Sequence, residues 1–435
     1  MFKTIQNAFK IPDLRKKLLF TLFIIVVFRF GSVIPVPFLN RTALQTIMSQ
    51  YAGNNILAYQ NMLAGGAFSN ATLFAMGITP YINSSIIMQL LCVAIPALEK
   101  LAKEGNEGRK KIASITRYVT VGLGLLQGTA YYIFLRRSAI ITSDWKDGGK
   151  GVFSCIVIIL TFTAGTALVM WLGEQINVKG VGNGISILLF AGIISRASYL
   201  VSQIVSYWQM ALEGKKQFFF FVPIYIVIFF GVIWFITFMN DAERRIPVQY
   251  AKRVVGRKMY GGQSTHLPIK VAMDGVMPII FASSILSIPA TINLFVKAET
   301  GFWKSFFSFF NTTSVGYMIL YFVLIIMFAY FYTTIQYNPV EMANNLRTNN
   351  GTIPGIRPGR PTADYIAKIL SRITLIGALC LAVIALLPLI FGKISTMGNM
   401  SLSGTSIIII VGVALETVKQ LESQMMMRHY KGFLD

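Results

Sequence analysis

Charge is scarce in this chain. Of 435 residues only 13% are Asp, Glu, Lys or Arg, about half the roughly 25% of an ordinary soluble domain. Acid is scarcer still, with 17 Asp and Glu against 39 Lys and Arg and a net charge of +22. A soluble enzyme, a disordered basic tail or a histone-like nucleic-acid binder is therefore excluded, because those classes are rich in charge and poor in Phe and Ile. Histidine is nearly missing: His266 and His429 leave no basis for a His-based metal site. Cys92, Cys155 and Cys380 lie far apart in apolar runs, which fits neither zinc spacing nor a disulfide framework and reads as small apolar packing. No G-x-x-x-x-G-K-[ST] occurs, so no nucleotide site and no resident cofactor are expected.

What is abundant is apolar mass: 54% of residues are hydrophobic and 33 are Phe. A helix needs about 20 apolar residues to cross the hydrocarbon core. Runs meeting or approaching that length occupy 18–37, 77–97, 115–135, 152–173, 184–205, 218–239, 275–296, 316–336, 369–391 and 403–421. Because they are continuous rather than alternating, they read as helices and not barrel strands. The basic start, MFKTIQNAFKIPDLRKK, precedes the first run without an A-x-A cleavage pattern, so this run is expected to be retained. The reading is an all-α polytopic membrane protein of ten spans.

The positive charge sorts by loop. With both termini on the cytoplasmic side, 27 Lys and Arg fall in inside segments and ten in outside loops, which supports that orientation over its opposite. Two inside loops, 240–274 and 337–368, are long, basic and rich in turn residues. Loops beyond about 15 residues are usually functional or disordered, and these are expected to protrude as basic docking hairpins rather than serve as plain linkers.

Ten spans divide into five and five, an odd number that forces the halves, 1–207 and 208–435, into opposite topology. Gly77-x-x-Pro80-x-Ile82-x-x-Ser85 opens span 2, and Gly275-x-x-Pro278-x-Ile280-x-x-Ser283 opens span 7. Such paired interruptions in inverted halves mark a working centre. Residues 60–76 before span 2 are rich in small residues and too interrupted to cross. They read either as an ordinary outside loop or as a short half-helix folded back into the bundle as a stopper.

Charged residues in the spans are few: Arg29, Glu174, Arg196 and Glu416 all lie near span ends, where snorkelling accounts for them. Aliphatic side chains instead recur every four residues, at Ile82 and Ile86 and at Ile185, Leu189 and Ile193, which places each set on one helical face. Core or lipid packing explains such stripes, and so does a constriction that stops ions by dewetting. Gln89, Gln127, Ser283, Ser284 and Ser287 are polar positions in spans 2, 3 and 7. They offer interhelical hydrogen bonds worth about 0.6–2 kcal/mol each, as permanent glue or as a seam that a ligand can open.

Several stretches together resemble the SecY/Sec61 protein-conducting channel family, in its bacterial branch. They are FRFGSVIPVPFLN (28–40), GGAFSNATLFAMGITPYINSSIIMQLL (65–91), GVGNGISILLFAGI (180–193), PVQYAKR (247–253), GGQSTHLPIKV (261–271), PGIRPGRPT (354–362) and MMRHYKGFL (426–434). The resemblance covers essentially the whole chain. It implies a central hourglass pore between the two halves. The plug sealing it would be Gly65, Gly66, Ala67, Phe68, Ser69, Asn70, Ala71 and Thr72. The pore ring would be Ile82, Ile86, Ile280 and Ile409, with Leu189 and Ile193 as its span-5 members, where Leu and Ile stand in place of a purely Ile pattern. Spans 2 and 3 against 7 and 8 would form a lateral gate releasing signal sequences and membrane segments into lipid. Lys252, Arg253, Arg257 and Lys258 in the first cytoplasmic loop, and Arg357 in the second, would receive the SecA motor ATPase or the translating ribosome. Small SecE-like and SecG-like subunits, preproteins with their signal sequences, and lipid of a cell membrane are the implied partners, with no specific nucleic-acid sequence among them.

A secondary transporter is the other inverted-repeat class to weigh, and the missing intramembrane carboxylates disfavour it. An intramembrane protease has no H-E-x-x-H or paired acids here. The expectation is a passive conduit, not an enzyme.

Overall fold

The computed structural model describes residues 2–50, 61, 64–141, 148–250, 253–255, 258–260, 264–272, 275–296, 301–311, 314–395 and 404–431. Each predicted apolar run falls on a helix. In chain order these and their connectors are α1 (Phe2–Lys10), α2 (Pro12–Gly31), α3 (Arg41–Gln50), α4 (Thr79–Ala94), α5 (Pro96–Lys103), α6 (Asn106–Arg137), α7 (Gly149–Lys179), α8 (Gly184–Ile194), α9 (Ala197–Leu212) and α10 (Gln217–Asp241). The second half holds β1 (Glu243–Tyr250), β2 (Arg253–Val255), β3 (Lys258–Tyr260), β4 (Ser264–Lys270), α11 (Met277–Val296), α12 (Phe302–Phe309), α13 (Val315–Gln336), α14 (Pro339–Thr348), β5 (Gly351–Thr352), α15 (Arg360–Ile394) and α16 (Gly404–Lys431).

Among the described residues six helical stretches are long and apolar enough to cross a membrane: α6, α7, the α8–α9 stretch, α10, α13 running into α14, and α15. Helix α4 joins them if it is taken with α5, from which it is bent by 102°. That bend has a local cause. Pro96 lacks an N–H and disfavours helical backbone in the residue before it, and Ile95 is extended at φ −109° and ψ 113°. The remaining predicted runs lie on α2, α11 and α16, so ten spans are consistent with the structure. Large apolar side chains such as Phe23, Phe220, Trp234 and Ile319 are exposed, as expected of surface that faces acyl chains. The cysteines are free and only partly buried.

The two halves repeat one packing order. Span 2 packs on span 3, 3 on 4 and 4 on 5 (α4, α6, α7, α8), and span 7 packs on span 8, 8 on 9 and 9 on 10 (α11, α13, α15, α16). The halves meet where α8 lies against α16 and where α11 touches α4 and α6. The division drawn at residue 207 falls inside α9, and the turn between spans 5 and 6 comes at Gly214 with φ +116°.

The two long inside loops are not separate hairpins. Antiparallel β1 and β4 form the expected hairpin in the first, from Glu243 opposite Lys270 to Gln249 opposite Ser264. The second loop folds instead as helix α14 and short strand β5, which adds to the other side of β1 at Gln249–Thr352 and Tyr250–Gly351. Asn338 caps α14, its side-chain oxygen accepting from the Val340 and Glu341 amides. Ile246, Val248 and Ile269 bury one sheet face against Leu346, Ile353 and the start of α15 at Ile366 and Leu370. Shared burial, not visible in the spacing of either loop, makes them one platform.

Candidate functional site: the waist of the bundle and its stopper

The waist is built from two turns that start spans 2 and 7. Gly77 has φ +56° and Gly275 has φ +57°, left-handed backbone that only glycine adopts without strain. Two residues after each glycine a helix begins, with Pro80 or Pro278 as its second residue, a place where the missing N–H has no intrahelical partner to lose. Ile82 and Ile280 follow at matching positions on the first turn and are both buried.

Span 5 reaches the same place through the GVGNG turn. Gly182 is left-handed, and the Asn183 side chain caps α8 by accepting from the Ile185 and Ser186 amides. Gly184 presses so close to span 4 that a Cβ there would lie 1.9 Å from the Gly173 carbonyl oxygen. The helix so fixed buries Leu189 and Ile193. Ile82, Ile86, Leu189, Ile193, Ile280 and Ile409 are all buried members of the large hydrophobic core that runs through the bundle, so spans 2, 5, 7 and 10 each contribute to it. Ile185 is only partly buried and packs at its edge.

Residues 64–78 fold as successive turns, not as a half-helix, and they are drawn into the bundle. Ala67, Phe68, Ala71 and Thr72 are buried, whereas Gly65, Gly66, Ser69 and Asn70 are partly so. Their packing is with spans 3 and 4: Phe68 and Ala71 share a second cluster with Tyr131, Leu135, Ile158 and Phe162. Contact with the waist comes at two points. Phe74 and Ile78 belong to the waist cluster, and a Cβ on Gly65 would stand 3.0 Å from the backbone of Gly192, the neighbour of Ile193.

Side chains that the sequence reading passed over hold this segment. Tyr131 donates its hydroxyl to the Phe68 carbonyl at 2.6 Å, with the two rings 4.4 Å apart. Arg29, read as a snorkelling end residue, instead turns inward: its Nη1 donates to Ser195 Oγ at 2.9 Å and to the Gly65 carbonyl at 3.4 Å. A lone arginine in an apolar run was the available signal, and only the fold shows its acceptors. Glu174 likewise has a partner, Arg117 Nε at 2.7 Å, and Arg196 stacks over the Tyr199 ring.

The seam positions are divided. Ser283 donates to the Ile280 carbonyl and Ser287 to the Ser284 carbonyl, bonds within α11. Gln89 and Gln127 are partly buried, and the Gln89 Oε1 atom is buried without a hydrogen-bond partner. Ser84, not singled out from the sequence, joins spans 2 and 3 by donating to the Thr116 carbonyl at 2.8 Å.

Of the basic loop residues, Lys252 and Arg257 lie outside the described residues, while Arg253 and Lys258 sit on the paired strands β2 and β3. Arg357 is exposed on the turn before α15, its carbonyl accepting from Thr362 Oγ1 at 2.8 Å. Among the described residues no cluster of His, Cys, Asp or Glu is arranged to hold a metal ion.

The family model described as SecY matches residues 72–418. The chain belongs to the SecY family. The protein translocase subunit SecY of Streptomyces coelicolor is 46% identical over the full length of both chains, and that of Mycobacterium bovis is 42% identical over the same extent. A solved structure described as that of a protein conducting channel is similar with a TM-score of 0.68 at 16% identity, covering 94% of this chain and 92% of that one. A structure concerning the SecY plug domain, at 15% identity, and Sec61 from a canine ribosome–channel complex, at 14%, give TM-scores of 0.65 and 0.62 over the same shares. The SecY-family fold, a helical multi-pass membrane channel of two inverted halves, is thus the frame in which the waist sits.

Proposed function

We infer that this chain is the central pore-forming subunit of a protein translocase, passing unfolded secretory polypeptides across a membrane. The observation that carries this is that six aliphatic side chains from spans 2, 5, 7 and 10 all belong to the large hydrophobic core between the two halves, with a packed stopper resting beside it. An exported chain presents no constant chemistry, so a binding pocket of fixed specificity would serve little. A ring of soft apolar side chains closes around varied sequences and excludes hydrated ions by dewetting.

In this reading Ile82, Ile86, Leu189, Ile193, Ile280 and Ile409 are the pore ring and Gly65–Thr72 the plug. The two halves, 1–207 and 208–435, swing about the α8–α16 contact and part at the seam between spans 2/3 and 7/8, where α11 touches α4 and α6. Gln89, Gln127, Ser283, Ser284 and Ser287 line that gate. Hydrophobic segments leave by partition, favoured by about 0.8 kcal/mol for each CH₂ moved into lipid. The work is done by partners rather than by this subunit. Both termini and the joined loop platform face the cytoplasm at the plasma membrane. There Lys252, Arg253, Arg257, Lys258 and Arg357 meet a SecA-like motor or a translating ribosome, and small SecE-like and SecG-like subunits complete the channel. The broad match to Sec61 from a ribosome–channel complex supports the docking role.

Crosslinking from position 86 to an arrested secretory precursor tests the conduit. Capture of the precursor is expected. Failure to capture it, with crosslinks obtained from other bundle positions, would return the waist to ordinary core packing.

A further inference from the structure

Residues 64–78 are held very differently at their two ends. At the C-terminal end the grip is backbone and continuous. The Leu73 amide donates to the Ile34 carbonyl at 2.9 Å and the Val36 amide to the Ala71 carbonyl at 3.1 Å, a short antiparallel bridge between Pro35 and Thr72. Phe74 stacks on Phe28 with ring centroids 5.7 Å apart. It lies so tightly over Gly31 that a Cβ there would stand 2.1 Å from its ring. Gly165 of span 4 is equally close, with a Cβ placed 1.9 Å from the Leu73 carbonyl oxygen.

At the N-terminal end the cross-bundle grip on Gly65 is by side chains. Arg29 Nη1 and Ser195 Oγ both lie 3.4 Å from the Gly65 carbonyl, and Arg29 also donates to Ser195 Oγ at 2.9 Å. Ser195 in turn donates to the Gly192 carbonyl at 2.6 Å. Gly65 and Gly66 are both left-handed, at φ +63° and +87°. The acceptor is therefore a backbone carbonyl between two conformationally free residues, resting directly on the span-5 backbone beside Ile193.

We propose that Arg29 and Ser195 form a latch that holds the stopper shut, and that opening swings residues 64–70 about a fixed hinge at residues 71–74. This rests on reading residues 65–72 as the plug. Span 1 serves both functions: its Phe28 and Gly31 clamp the hinge, and Arg29, on the same helix, holds the far end, where Tyr131 also bonds to the Phe68 carbonyl. Ser195 lies at the turn between α8 and α9, one residue beyond Ile194 and two beyond Ile193 of the ring. A polypeptide that pushes span 5 outward at Ile193 thereby moves Ser195 and breaks the bond that the plug depends on. The latch couples arrival of substrate to release of the seal without any charged gate in the pore.

The test compares three forms of the assembled channel in planar bilayers: Arg29→Gln, Ser195→Ala and a deletion of residues 65–70. Each is compared with the unaltered complex, and assembly is checked by size-exclusion chromatography. Arg29→Gln removes the charge-assisted bonds to Ser195 and to the Gly65 carbonyl, and is expected to raise resting ion conductance by roughly tenfold or more. Ser195→Ala is expected to give a smaller rise, and the double substitution less than the product of the two, because they share one bond. Arg29→Lys, which keeps a donor and a charge, should recover most of the seal. If the deletion raises conductance while Arg29→Gln and Ser195→Ala do not, the latch is wrong and the plug reading stands. If the deletion itself leaves conductance unchanged, the plug reading falls and the latch falls with it.

Discussion

The starts of span 2 and span 7 are two copies of one device with different surroundings. Both have a left-handed glycine, at φ +56° and +57°, a proline three residues on, and a buried isoleucine two after that. Gly77, however, emerges from the packed turns of residues 64–76, and a Cβ placed on it would meet Ala64 at 3.4 Å. Around Gly275 the same atom would meet nothing within 4 Å. The turn and the isoleucine belong to the repeat, whereas among the described residues only the first half has a packed segment of this kind before its turn. The waist is therefore built with two-fold logic, since both halves must supply apolar side chains to it. The packed segment 64–76 is one-sided, held to spans 1, 3, 4 and 5 of the first half by Phe28, Tyr131, Gly165 and Ser195.

The largest effect should come from breaking what the halves share. Replacing Ile82, Ile86, Ile280 and Ile409 together by Ser removes four side chains, each contributing about 1.5–3 kcal/mol of burial, and wets the waist. Resting ion conductance of the purified channel complex should rise sharply, and unchanged conductance would dismiss the ring. A smaller effect is expected from a feature of one half. Gly165→Ala puts a Cβ against the Leu73 carbonyl at 1.9 Å, an overpacking that costs about 1–3 kcal/mol. Gly122→Ala on span 3, where a Cβ meets nothing within 4 Å, is the control and should leave the melting temperature in detergent unchanged or slightly higher. Equal melting of the two variants would mean that the stopper does not press on span 4.

Much of this was legible before any fold was seen, for a physical reason. Lipid demands that every backbone group be satisfied within the segment, so continuous apolar runs announce span helices, and the Gly77 and Gly275 motifs announce their special turns. What stayed hidden depends on distant partners. Periodicity placed Ile82 and Ile86 on a face but gave no reason to group Ile280 and Ile409 with them; that expectation came from resemblance. The plug segment read either as an outside loop or as a half-helix because its small residues are compatible with both, whereas Gly65, Gly66 and Gly77 all take left-handed backbone. Arg29 looked like a snorkelling residue because its acceptors lie 36 and 166 positions along the chain. The bonds that Ser283 and Ser287 of α11 donate to their own helix, at the Ile280 and Ser284 carbonyls, could not be read from composition either. The second cytoplasmic loop read as a hairpin because nothing within it indicates that its strand pairs with β1 of the other loop.

The finest test of the comparison sets Gly77→Ala against Gly275→Ala. An L-residue held in left-handed backbone costs about 1–2 kcal/mol, and at near-identical φ this strain should be the same in both copies. The contact at Gly77, 3.4 Å from Ala64, is ordinary van der Waals distance and adds no clash. The two variants should therefore lose equal stability, within about 0.5 kcal/mol, the usual scatter for independent sites. Their effects on the seal should differ, because only Gly77 connects to the stopper. Unequal melting would show that the repeat ends at the sequence motif and does not extend to the backbone. Equal melting with equal leak would show that the stopper is indifferent to the turn beneath it, and that its closed position is set by its contacts with spans 1, 3, 4 and 5.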